Sequence, residues 1–136
     1  MKRTLSIALL ACALAAAGLA PAAAAEWETR KDSQGAVTVD VTPLDLSAGA
    51  KTWDFKVVFD THSQELSDAL PKTATLIGGR GARYAPLVWD GAAPGGHHRE
   101  GVLRFEPINP RPQSLELQIQ RPNEPAPRAF RWTLGK

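Results

Sequence analysis

Residues 53–60, Trp53-Asp54-Phe55-Lys56-Val57-Val58-Phe59-Asp60, decide the fold. Trp53, Phe55, Val57 and Phe59 share one parity, while Asp54, Lys56, Val58 and Asp60 share the other. Side chains alternate across a strand, so this stretch has one wholly apolar face and one largely polar face. The same period of two runs through Val37, Val39 and Val41, and through Leu103 and Phe105. It returns in Leu115, Leu117 and Ile119, and in Phe130, Trp132 and Leu134. None of these runs carries a helical stripe. Residues 73–77 and 84–89 flank Gly78-Gly79-Arg80-Gly81 and read as a hairpin, because glycine supplies the positive φ of tight turns. A second hairpin is expected between residues 27–30 and 37–41, turning at Asp32-Ser33-Gln34-Gly35.

Proline supplies the remaining punctuation. Pro107, Pro110 and Pro112, then Pro122, Pro125 and Pro127, mark loops, since proline cannot donate to a ladder. Only residues 63–70 offer a helical turn, with Ser63 or Ser67 as cap and Pro71 as the stop. Short strands at regular spacing predict an all-β chain: an immunoglobulin-like β-sandwich of seven to eight antiparallel strands, forming one domain over residues 26–136.

The first 25 residues read differently. Lys2 and Arg3 precede an apolar stretch over residues 5–19, and Ala22 to Ala25 supply small residues for a signal peptidase. Cleavage after Ala25 predicts a mature chain starting at Glu26, periplasmic or secreted. The apolar stretch is too short and too alanine-rich for a membrane span. Leu9-Leu10-Ala11-Cys12 loosely matches a lipobox, which keeps a lipid anchor on Cys12 as the alternative. Of 16 basic residues, two lie in the leader, so residues 26–136 carry 14 basic and 14 acidic side chains. That balance gives nucleic acid no electrostatic foothold, because phosphate neutralisation needs a concentrated positive surface. Cys12 and Met1 are the only cysteine and methionine, so the mature chain has neither sulfur ligand nor disulfide. Four tryptophans and four phenylalanines must supply its core.

The three histidines fall in two places: His62, just beyond the Trp53 strand, and His97-His98 after Gly95-Gly96. With Asp60 and Glu100 nearby, they form a candidate set for Zn²⁺ or Cu²⁺, both of which accept imidazole and carboxylate. His98 and Glu100 share strand parity and make the better pair, whereas adjacent His97 and His98 point to opposite faces unless a loop holds them. The competing reading is that these groups organise loops by bonding backbone amides. Copper(I) is disfavoured without methionine. No nucleophile elbow, cysteine nucleophile or phosphate-binding glycine loop appears, so no enzyme activity and no further cofactor are expected. Glu65 and Asp68 suit a solvated turn. Trp89 is expected in the core with Leu87, and Arg99 and Arg104 on the sheet surface.

Residues 37–43 (VTVDVTP), 53–63 (WDFKVVFDTHS), 86–91 (PLVWDG) and 95–105 (GGHHREGVLRF) together resemble a family of small exported bacterial proteins of uncharacterised function. The resemblance implies export and a β architecture, and it places His62, His97 and His98 within the recurring segments. A more distant similarity is to exported copper-binding proteins of immunoglobulin-like fold. Those begin with histidine and carry methionine-rich sites, whereas Glu26 begins the mature chain here. The functional expectation is a non-enzymatic binding or accessory module that holds an envelope protein partner through a sheet edge or the 90–100 loop. The alternative is a periplasmic divalent-metal binder.

Overall fold

The computed structural model describes residues 18 and 27–135, so apart from Gly18 the expected leader lies outside the described residues, and Cys12 with it. Nine strands follow in order: β1 (Arg30–Gln34), β2 (Val37–Asp45), β3 (Trp53–Thr61), β4 (Ala74–Ile77), β5 (Arg83–Tyr84), β6 (Val88–Gly91), β7 (His98–Phe105), β8 (Ser114–Ile119) and β9 (Arg128–Thr133). One four-residue helix, α1 (Leu70–Thr73), precedes β4. The strands form two antiparallel sheets, ordered β1-β2-β3-β7-β6 and β5-β4-β8-β9. With β1 set aside, these orders match the A-B-E-D and C′-C-F-G sheets of an immunoglobulin domain. The fold is the all-β sandwich expected from the alternation, with β1 added as a hairpin extension.

The apolar parities meet between the sheets. Trp53, Phe55, Val57, Phe59, Leu103 and Phe105 face Leu76, Leu115, Leu117, Phe130 and Trp132, all of them buried. Phe55 links the layers: its ring meets Phe105 edge-on at 5.7 Å and Trp132 at 5.5 Å. Both buried indoles keep a polar partner, as buried tryptophan requires. Trp53 Nε1 donates to the Ser47 carbonyl (3.1 Å) and Trp132 Nε1 to the Glu28 carbonyl (2.7 Å).

One end of the sandwich is closed by charge as well as by the buried Leu66 and Leu70. Asp68, fully buried, accepts from Arg121 through Nε (3.0 Å) and Nη2 (3.1 Å). Arg121 reaches Glu124 at 3.3 Å, and Glu124 in turn takes two bonds from Arg128, at 2.9 and 2.8 Å. These bonds hold the Glu124 carboxyl below its ordinary pKa. Arg128 also donates to the carbonyls of Asp32, Gln34 and Val37, which fastens the β1–β2 hairpin to the start of β9.

Several local expectations need correction. The first hairpin turns at Gly35-Ala36, with Asp32 and Ser33 inside β1, because Gly35 (φ +55°) supplies the left-handed residue a two-residue turn demands. Pro71 opens the helix instead of stopping it; at the first helical positions its missing N–H has no intrahelical partner to lose. Residues 84–89 divide at Pro86 into β5 and β6, which belong to different sheets. Asp68 sits in the protein interior, not in a solvated turn.

Breaking a buried pair leaves an uncompensated charge behind. Asp68→Ala is therefore expected to lower stability by about 3 kcal/mol, while Asp54→Ala, at a half-exposed surface pair, costs about 1 kcal/mol or less. Urea midpoints at neutral pH measure both; equal midpoints would show that the buried ions do not close this end.

Candidate functional site

The polar parity of β3 and β7 forms an open face on the five-stranded sheet. Asp60 lies directly opposite His98, and Val58 opposite Glu100. Cross-strand neighbours on one face stand close enough to interact. His98 Nδ1 meets Asp60 Oδ1 at 2.6 Å, and His98 Nε2 stands 3.7 Å from Glu100 Oε2. His98 and Glu100 share one face, as their spacing in β7 requires, and the register adds Asp60. The two carboxylates flank the imidazole from its two nitrogens, so they do not converge on a common point. His62 and His97 are exposed and make no side-chain hydrogen bond among the described residues. His97 instead contributes its carbonyl, which accepts from the Thr61 N–H at 2.9 Å. Among the described residues, no group of three or more His, Cys, Asp or Glu side chains is arranged to hold a metal ion.

A second feature lies beside this face. Gly91 and Gly101 are cross-strand partners, and a Cβ on either would come within 2.5 Å of the other's Cα. That close approach also makes room for the Trp89 indole, whose ring would lie within 2.8 Å of either added carbon. The ring Nε1–H donates to the Ala92 carbonyl at 2.9 Å, and the Arg99 guanidinium sits 5.4 Å from the ring centroid. Arg99 is buried, donating to the carbonyls of Ala92 (3.0 Å) and Asp68, so it connects this edge to the charged end.

The sequence expectation for this segment fails in two places. Arg99 is inside, and Leu87 is 58% exposed rather than a core partner of Trp89, which itself packs half-buried against the core. Leu87 N–H donates to Arg104 O (2.7 Å), although Val88 is the residue registered against Arg104. Leu87 thus lies in a bend just before β6, and strand parity does not carry back from Trp89 to it. Arg104 is on the surface as expected, but it pairs with Asp54 and Asp90. The glycines were the available signal, since glycine within a strand marks close backbone approach.

Both carboxylates favour the charged imidazole. The hydrogen bond that the ring donates to Asp60 raises the His98 pKa above its ordinary value; desolvation opposes the rise, and the charges of Asp60 and Glu100 add to it. A histidine whose folded pKa exceeds its unfolded one stabilises the fold below the unfolded value, and that contribution fades as pH rises through the folded value. In an NMR titration, the His98 ring is expected to titrate above an unperturbed histidine, and Asp60→Asn to bring its midpoint down. An unmoved midpoint would show that Asp60 does not clamp the ring.

No family model matches the chain, and neither a curated protein nor a solved structure matches it.

Proposed function

We propose that this chain is a non-enzymatic binding or accessory module of the bacterial envelope, exported to the periplasm or beyond, which holds an extended segment of a protein partner along β6. The observation that carries this reading is the outer edge of that strand, which pairs with no other strand among the described residues. Ala92 N–H bonds to Glu100 O (3.0 Å), and antiparallel alternation then directs the backbone of Asp90 toward β7. The N–H and C=O groups of Trp89 and Gly91 point away from the sheet. Leu87 and Val88, 58% and 42% exposed, stand beside them. Extended peptides use these features, with main-chain bonds supplying affinity and apolar side chains supplying specificity.

The other edges offer less. At the β1 and β9 edges, Arg30 Nε donates to Arg131 O (3.1 Å), and the Trp132 indole reaches Glu28. The β5 edge is only two residues long, and very short edge strands resist pairing with another chain. The Arg99–Trp89–Ala92 bracket holds β6 rigid, so a partner strand would meet a preformed template with less ordering cost.

A photo-crosslinking phenylalanine analogue at Leu87, placed in the exported protein within its native cells, tests this. It is expected to give a discrete adduct that the same probe at Lys51 does not, and Val88→Lys is expected to reduce the yield by at least about fivefold. No adduct, or equal adducts from Leu87 and Lys51, would overturn the reading.

A further inference from the structure

The opposite end of the sandwich carries a cavity of about 580 Å³, within the range usual for small-molecule sites. Its construction begins with two glycines. Gly81 N–H bonds to Gly78 O and Gly78 N–H to Ala82 O, both at 3.0 Å, which folds the β4–β5 connection into a tight turn. A Cβ on Gly78 would lie 3.4 Å from Ile108 Cδ1, and one on Gly79 would lie 3.7 Å from Pro112 Cβ. The turn therefore packs backbone-first against the 106–113 loop, and the space that side chains would occupy stays open. Tyr84, Ile108, Pro110 and Pro112 give the cavity flat, apolar walls.

Charge in this cavity is one-sided. Arg80 and Arg111 line it, and no aspartate or glutamate does. Arg111 is fixed in place by donating Nε to Leu46 O and Nη1 to Leu134 O, each at 3.1 Å. Its Nη2 makes no bond among the described residues, and Arg80 makes no ion pair among them. Every other arginine of the described residues except Arg83 and Arg99 is matched by a carboxylate, and those two bond to Gln118 and to carbonyls. We propose that this cleft is a binding site for a small carboxylate carried on a flat apolar body, such as an aromatic or cyclic acid. Planar guanidinium groups match carboxylate geometry, and the proline and tyrosine faces suit a ring. None of the residues lining the cavity belongs to β6, and the proposal does not rest on the edge-binding reading.

The probe is naphthalene-2-carboxylate, titrated into the purified exported protein and followed by backbone amide shifts, with naphthalene-2-carboxamide as the neutral control. The carboxylate is expected to saturate, moving the amides of Gly78, Gly79 and Tyr84, and to bind at least about tenfold more tightly than the carboxamide. Arg80→Gln is expected to weaken it by about fivefold or more at an unchanged melting temperature, and Lys72→Gln to leave it unchanged. Absence of saturation, equal binding of the carboxamide, or an unaltered affinity in Arg80→Gln would each overturn the proposal.

Discussion

A buried carboxylate has to be answered by a buried cation, and the Asp68–Arg121 pair is where this fold meets that requirement. Residues 27–135 contain no cysteine, so nothing covalent ties the loops at either end of the sandwich. Ionic and backbone bonds tie one end instead, running from Asp68 through Arg121 and Glu124 to Arg128, and from there to three carbonyls of the first hairpin. Taking these ions out of water is expensive, and only near-complete pairing offsets that cost. The chain supplies it: the Arg121 fork grips both oxygens of Asp68, and Arg128 grips both of Glu124.

That closure positions the features with functional bearing. The Asp68 carbonyl and the Arg99 guanidinium are partners, and Arg99 supports the Trp89 ring from beneath, so the rigid end of the molecule extends to the outer edge of β6. The opposite end has no comparable ion network among the described residues. Glycine and proline backbone meet there across a cavity, and its two arginines face no acid. The molecule thus has a self-satisfied charged end and an end with cationic capacity to spare.

How much of this was legible depended on how local the cause was. Val37 to Val41 and Trp53 to Phe59 announced their strands through parity alone, and every apolar residue so placed is in the core. His98 and Glu100, two residues apart on one strand, share a face for the same reason. Leu87 and Trp89 have the same spacing, yet Leu87 lies in a bend before β6 where parity does not reach, and the residue expected inside lies in solvent. Pro71 was misread because a proline fits both sides of a helix boundary: it opens a helix at its first turn and ends one further along.

The order of residues by itself determined which stretches are strands and which side of each strand is apolar, because both follow from covalent geometry within a few residues. Tertiary structure alone decided that Asp60 meets His98 across 38 positions, that Arg121 neutralises Asp68 across 53, and that Arg99 lies inside. Those outcomes depend on which strands become neighbours, and a short window of sequence carries no term for the loop closures and burial that select them.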